Sequence, residues 1–312
     1  MKESALAVGI DLGGTQVRAA LVGSDGAVRA RAATRTDVVG GPVAVILQMQ
    51  DLFSQVTDGV EPASLAGVGV SAPGPLDGEA GVILGIPTLP RWVDIPIVAQ
   101  LHEVLRLPIS LENDGVAAAL GEWRFGAGRG LRNFVYVTVS TGIGGGVIAD
   151  GCVLRGRRRL AAYLGHMITA PEGEVCSCGN RGCWEAQASG PALGDLARRR
   201  AAQVPGSSLA KLGDAVEARD VIVAAREGDT LALELVAREA ELLGIGVVNL
   251  LHLYSPEAVV FGGGVSNGFD MLKSGVERQI QERALPPFRA VPILAAQLGP
   301  NSGLVGAASL FL

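Results

Sequence analysis

Ala5-Leu6-Ala7-Val8-Gly9-Ile10-Asp11-Leu12-Gly13-Gly14-Thr15-Gln16-Val17-Arg18-Ala19-Ala20-Leu21-Val22 reads as an apolar strand, a glycine turn and a second strand. The same order returns at Asn133–Val139, Ser140–Gly146 and Gly146–Ala149, ahead of the hairpin dipeptide Asp150-Gly151. This repetition predicts a duplicated α/β chain of two lobes with a cleft between them. Around the first copy, Ala5–Ile10, Gln16–Val22 and Ala27–Ala33 form an antiparallel meander, with Gly23-Ser24-Asp25-Gly26 as its second turn. Apolar residues at helical spacing follow over Pro42–Val56. Leu65–Val70 is a strand opening into Ser71-Ala72-Pro73-Gly74-Pro75, and a helix over Ile95–Leu105 leads to the strand Pro108–Leu111. Glu112-Asn113-Asp114-Gly115 then precedes a small-residue helix, Val116–Phe125.

Farther along, Leu235, Val236, Ala240, Leu243, Val247, Leu250, Leu251 and Tyr254 step by three and four through a helix over Leu231–Tyr254. Ser255-Pro256 stops it. Ala258–Phe261 is a strand entering Gly262-Gly263-Gly264, and Ser302–Leu312 reads as a closing helix. The expected division is a small N-terminal lobe, 1–115, and a larger one, 116–299, with the helix of about 300–312 returning to the first.

The composition sets limits on the function. Of 312 residues 48% are apolar and 18% charged, enough apolar material for a large core. The 44 glycines carry no Gly-X-Y period, which excludes collagen and points to many sharp turns. A net charge of −5 gives no electrostatic reason to bind nucleic acid or a membrane surface. No apolar run approaches the ~20 residues that span a bilayer, and no signal peptide is evident. Four cysteines, three of them within eight residues, do not make a secreted disulfide scaffold, so a cytoplasmic location is expected.

Three glycine turns follow strands: Asp11-Leu12-Gly13-Gly14-Thr15, Ser140-Thr141-Gly142-Ile143-Gly144-Gly145-Gly146 and Gly262-Gly263-Gly264-Val265-Ser266. Without Cβ atoms, backbone N–H groups can approach phosphate oxygens closely, although any one such turn is equally a tight turn and nothing more. None is a Walker motif, since no Gly-Lys-Ser/Thr follows. Their recurrence at strand ends favours nucleotide phosphates, and an acid beside a phosphate turn, Asp11, then implies Mg²⁺ between them. Cys176, Cys178 and Cys183 have the spacing C-x-C-x4-C, and His166 lies ten residues before the first. Four such side chains suit a tetrahedral structural zinc, against the alternative of free thiols and a packed histidine. Cys152, outside the cluster, reads as an ordinary small apolar residue.

Asp11-Leu12-Gly13-Gly14-Thr15, Glu112-Asn113-Asp114, Ser140–Gly146 and Cys176-Ser177-Cys178-Gly179-Asn180-Arg181-Gly182-Cys183-Trp184-Glu185 together resemble the ROK family of repressors and sugar kinases, in order and over residues 5 to about 310. The resemblance implies an actin/hexokinase-like, duplicated ribonuclease-H-like fold and ATP-dependent phosphorylation of a hexose 6-hydroxyl, glucokinase-like. N-acetylhexosamine kinase activity is the close alternative, and a homodimer or homotetramer is implied. It makes Asp114 the general base, and a helix cap at Asn113 or Asp114 is compatible with that role. By the same resemblance Asn113 and the loop with Gly74 bind sugar, Glu185 accepts from sugar hydroxyls, and His166 is both zinc ligand and neighbour of the sugar. Gly13, Gly14 and Thr15 would hold one side of the phosphates, Thr141, Gly142 and Gly144 the other, and Gly262, Gly263 and Gly264 the adenosine.

Several residues depart from the family pattern. Where the family reads Gly-Glu-x-Gly-His, this chain has Ala162-Tyr163-Leu164-Gly165-His166, so Tyr163 brings a ring and a hydroxyl in place of a carboxylate. Arg157-Arg158-Arg159 replaces a small-residue stretch and reads as a solvated charged face, or as a partner for an acidic group. Thr88-Leu89-Pro90-Arg91-Trp92 stands for Asn-Leu-Pro-x-Trp. These changes leave the phosphate turns intact and bear on which sugar is taken. Three rival readings are a DNA-binding repressor, a sugar binder that has lost activity through Tyr163, and a non-sugar ATPase of the actin/acetate-kinase superfamily. Only ten residues precede Asp11, which disfavours the first; Asp114 disfavours the second and the cysteine motif the third.

Overall fold

The computed structural model describes residues 5–86, 88–264 and 268–312. The chain forms two compact units, one comprising the residues up to Leu131, Gly146–Ala162 and Gln297–Leu312, the other Arg132–Gly145 and Tyr163–Ala296.

In the first unit the order is β1 (Leu6–Leu12), β2 (Gln16–Gly23), β3 (Val28–Arg35), α1 (Gly41–Val56), β4 (Leu65–Ala72), the short hairpin β5 (Leu76–Asp77) and β6 (Val82–Ile83), α2 (Ile97–Leu105), β7 (Ile109–Asn113) and α3 (Asp114–Phe125). Its sheet is ordered β3-β2-β1-β4-β7: the first three strands are antiparallel, while β1, β4 and β7 run parallel. Parallel neighbours need a crossover, and α1 and α2 occupy those connections. Side chains alternate across a strand, so Val8, Ile10 and Leu12 meet Val45, Met49 and Leu52 of α1 and Ile97 and Leu101 of α2. Ala7, Ala20 and Val22 face the other way.

That second face is covered by the last helix of the chain, which is α9 (Ser302–Ala308). A Cβ at Gly9 would lie 2.0 Å from Leu304 O, and one at Gly69 1.8 Å from Ala307 O, so only glycine lets the helix backbone lie on β1 and β4. The Glu122 carboxylate of α3 secures the entry to this helix. It accepts from Gln297 N–H at 3.0 Å, Leu298 N–H at 2.8 Å, Ser302 Oγ at 2.8 Å and Ala127 N–H at 3.0 Å. Such a donor set satisfies a buried carboxylate that would otherwise be costly to desolvate.

The second unit opens with β8 (Phe134–Val139) and the start of β9 (Ile143–Ala149), which continues into β10 (Cys152–Val153). It then contains α4 (Trp184–Ala188), α5 (Gly190–Ala201), α6 (Ala218–Arg226), α7 (Thr230–Tyr254), β11 (Ala258–Gly262), α8 (Phe269–Arg283) and β12 (Ile293–Ala295). The second sheet has the order β10-β9-β8-β11-β12, with β11 parallel to both β8 and β12. Trp184 is fully buried against Gly246 of α7 and donates its indole N–H to Leu242 O at 3.0 Å. Among the described residues no helix is long and apolar enough to cross a membrane.

Some local expectations change. The turn expected over Ser140–Gly146 is shorter, because strand β9 already begins at Ile143; a Cβ at Gly145 would lie 2.1 Å from Tyr136 O, so this glycine serves strand packing. The closing helix ends at Ala308, and Phe311 lies against Gly67. Cys152 is exposed.

Among the described residues one buried acid has a carboxylate oxygen with no hydrogen-bond partner. Glu239 of α7 is 2% exposed, and its Oε1 has no hydrogen-bond partner among the described residues. Burial holds its carboxyl well above the ordinary value of 4.5. The folded state therefore keeps a proton that the unfolded chain releases. The stability tied to that proton is full below about pH 4.5 and is lost as pH rises through the higher folded value. Glu239→Met removes the dependence, and denaturant titrations at pH 5 and pH 8 are expected to show a gain of about 1–3 kcal/mol at the higher pH and less at the lower.

Candidate functional site

In the first unit three parallel strands end in polar residues. β1 ends beside Asp11, β4 beside Ser71 and β7 at Asn113, and the register pairs Asp11 with Ser71 and Ala72 with Asn113. The Asp11 carboxylate is held by the Arg18 guanidinium, with Nε 3.0 Å from Oδ2, and Oδ1 accepts from Ser71 Oγ at 3.0 Å. Part of the positive charge that the sequence asks for beside Asp11 is thus the chain's own Arg18. The turn that follows is closed by Gly13 N–H donating to Gln16 O at 2.9 Å, and Thr36 Oγ1 donates to Gly13 O at 2.7 Å. Thr15 is exposed, and Thr88 stands over the turn, its Oγ1 2.9 Å from where a Gly14 Cβ would be.

Asn113 and Asp114 sit where β7 becomes α3. Asn113 is the helix cap, its Oδ1 accepting from Gly115 N–H at 3.0 Å, while Asp114 Oδ1 lies 2.8 Å from the same N–H. Asp114 is exposed at the first turn of the helix, where the backbone N–H groups favour its negative charge. Just before it, Glu112 is buried, and burial raises its carboxyl above the ordinary range against the pull of Arg155 and Arg159. Gly74 follows β4 and leads through Pro75 into β5. The sequence reading placed the Ser71–Pro75 loop at this site but gave no role to Arg18 or Glu112. An arginine seven residues after Asp11 on a neighbouring antiparallel strand was the available signal.

In the second unit the other two glycine turns come together. Ser140 N–H donates to Gly142 O at 2.9 Å, closing a tight turn that leaves Ser140 and Thr141 exposed. Gly263 has φ of 87°, and a Cβ there would lie 2.4 Å from Val139 O; at Gly264 it would lie 3.7 Å from Ser140 Oγ. Gly144 lies in β9 rather than in the turn. Val265 and Ser266, the end of the third glycine motif, lie outside the described residues.

The His166, Cys176, Cys178 and Cys183 ligand atoms all lie within 4.8 Å of one another. His166 Nδ1 is 3.7 Å from Cys176 Sγ, and Cys178 Sγ is 3.7 Å from Cys183 Sγ. These spacings fit a tetrahedral ion with Zn–S bonds of about 2.3 Å. Burial, then the neighbouring thiols of Cys178 and Cys176, push the Cys183 thiol up to about 12, while a hydrogen bond from the Asn180 backbone pulls Cys178 down. Tyr163 stacks on His166, with ring centroids 6.3 Å apart. Glu185, two residues past the last cysteine, accepts from Ile143 N–H at 3.0 Å through Oε2, and its Oε1 is 3.5 Å from Ser177 Oγ and 3.8 Å from Cys176 Sγ. It therefore ties the second glycine turn to the cysteine cluster.

Two five-stranded sheets, with glycine turns at strand ends in each unit, place the chain in the actin/hexokinase-like class of α/β folds. The ROK family pattern matches residues 7–312, and the chain belongs to the ROK family. It is 36% identical over 307 residues to a glucokinase of Thermotoga maritima, covering 97% of this chain and 96% of that one. It is 32% identical over 303 residues to an N-acetylmannosamine kinase of Escherichia coli, covering 96% of each. The crystal structure of a ROK family glucokinase from Streptomyces griseus in complex with glucose and AMPPNP superposes with a TM-score of 0.86 at 33% identity, covering 98% of this chain and 99% of that one.

Glu185→Ala removes the acceptor of Ile143 N–H. Amide exchange of Ile143, followed by mass spectrometry or NMR, is expected to accelerate by about tenfold or more while β11 stays protected.

Proposed function

We propose that the chain is an ATP-dependent hexose kinase that phosphorylates the 6-hydroxyl, glucokinase-like, with an N-acetylhexosamine such as N-acetylmannosamine as the alternative substrate. The observation that carries this reading is an acid, Asp114, mounted at a helix start beside a capping Asn113, in a chain whose glycine turns suit phosphate oxygens.

An alcohol is too weak an acid to ionise before it attacks. Asp114 accepts the proton of the sugar hydroxyl as its oxygen bonds to the γ-phosphorus and the bond to the ADP oxygen breaks. Asn113, which both donates and accepts, and the Gly74 loop hold the sugar, as do His166 and Glu185. Tyr163 offers a ring face and a hydroxyl to the same sugar. The Gly13–Thr15 turn holds the phosphates on one side and Thr141, Gly142 and Gly144 on the other, and Gly262–Gly264 lets the adenosine lie close to the backbone. Mg²⁺ accompanying ATP would lie on the side of Asp11 and would neutralise charge on the phosphates. His166, Cys176, Cys178 and Cys183 would hold a structural zinc, their ligand atoms already gathered within 4.8 Å. All four zinc positions are then filled, so the ion braces the segment that carries His166 and Glu185.

A coupled assay of ADP release across glucose, mannose, N-acetylglucosamine and N-acetylmannosamine tests the reading. One of these is expected to be turned over, and Asp114→Asn is expected to keep sugar binding while losing roughly 10²–10⁴-fold in kcat. Silence with every sugar, or near wild-type turnover in the variant, rejects it. Metal analysis of freshly purified protein is expected to give about one zinc per chain, lost in Cys178→Ser.

A further inference from the structure

Arg157-Arg158-Arg159, a charge run that reads as a solvated face, is bound into the first unit at two of its three positions. Leu160 N–H donates to Arg157 O at 3.1 Å, and the residues inside this turn both have left-handed backbones, Arg158 with φ of 58° and ψ of 17°, Arg159 with φ of 59°. That is the geometry of a type I′ turn, a position normally given to Asn-Gly because a Cβ is crowded there. Strain of this kind persists only where surrounding interactions hold it.

The holding interactions reach two separate segments. Arg158 Nε donates to Asp77 Oδ2 at 2.6 Å, and Gly78 N–H donates to Arg158 O at 3.1 Å, so the turn grips the stretch three residues after Gly74. Arg159 Nη1 donates to Leu111 O at 3.2 Å and to Ser110 Oγ at 3.4 Å, along the open edge of β7. Its Nη1 also lies 3.9 Å from Glu112 Oε2, where Arg155 Nε approaches to 3.3 Å. Glu112 Oε1 in turn accepts from Asn113 N–H at 3.2 Å.

We propose that the Arg157–Leu160 turn is a bracket in which Arg158 and Arg159, with Arg155 and Glu112, are positioning residues that fix the Gly74–Asp77 segment against Asn113 and Asp114. The inference rests on the reading of Gly74, Asn113 and Asp114 as sugar-binding and catalytic residues. A turn selected for stability alone would carry Asn-Gly. Two arginines retained there exchange an easy backbone for a grip on two segments of the site.

Arg159→Gly separates the two roles, since it gives the turn a residue suited to its φ and takes the guanidinium from β7. The expected result is a Tm equal to or above that of the native chain, kcat/KM for sugar lower by about 10- to 100-fold, an unchanged KM for ATP, and faster amide exchange at Asn113. Arg158→Asn is expected to do the same on the other arm, with faster exchange at Gly78. Arg157→Ala, in the same turn and exposed, is expected to leave activity as it is. The proposal is overturned if Tm and activity fall together in Arg159→Gly, as a merely structural contact requires, or if kcat/KM and Asn113 exchange both stay native. If the native chain phosphorylates no sugar, the kinase reading fails instead. Exchange at Asn113 and Gly78 then decides alone: acceleration without loss of Tm supports the bracket, and none overturns it.

Discussion

The first unit depends on how closely one helix can lie on a sheet. α9 rests with its carbonyls against β1 and β4 because Gly9 and Gly69 have no side chains there, and α3 and α9 meet at Gly306, where a Cβ would be 1.6 Å from Ala117 O. At such distances packing is a matter of backbone shape, and one added methyl is felt directly. Glu122 completes the arrangement by accepting from the N-terminal approach to the helix. The ends of β1, β4 and β7 are thereby set in one register, which is why Asp11, Ser71 and Asn113 sit side by side along the sheet.

The polar clusters around the candidate site residues differ between the two units. In the first, three acids near the strand ends are matched by arginines: Asp11 by Arg18, Asp77 by Arg158, Glu112 by Arg155. In the second, the dense polar cluster is sulfur and imidazole, with Glu185 as its link to the Ser140–Gly142 turn. The two oxygens of that carboxylate serve different elements, Oε2 the Ile143 N–H and Oε1 the Ser177 and Cys176 side chains.

Much of this was legible in the sequence where the pattern is periodic or chemically unusual. The helix expected over Leu231–Tyr254 is α7, Thr230–Tyr254, because eight apolar residues at helical spacing leave little freedom and Ser255-Pro256 ends it. The C-x-C-x4-C spacing marked the cysteine cluster, since few backbone paths bring those thiols together except around a common point. Less was legible where structure is brief or made by distant partners. β5 and β6 have two residues each, too few for alternation to register. Arg158 and Arg159 looked solvated because charge runs usually are, and their acceptors Asp77 and Leu111 lie 81 and 48 residues away. Glu122 gave no signal either, as its donors at the approach to α9, Gln297, Leu298 and Ser302, lie 175 and more residues later in the chain.

The place of α9 in the chain order has a consequence for biosynthesis. While the ribosome is still making the middle of the protein, Ala7, Ala20 and Val22 already exist as a finished apolar surface, and the residues that cover them, Leu304, Val305 and Ala308, do not. The nascent first unit lacks α9 over that side of its sheet through more than half of translation. That interval is when a chaperone has most to offer and an aggregating neighbour most to gain.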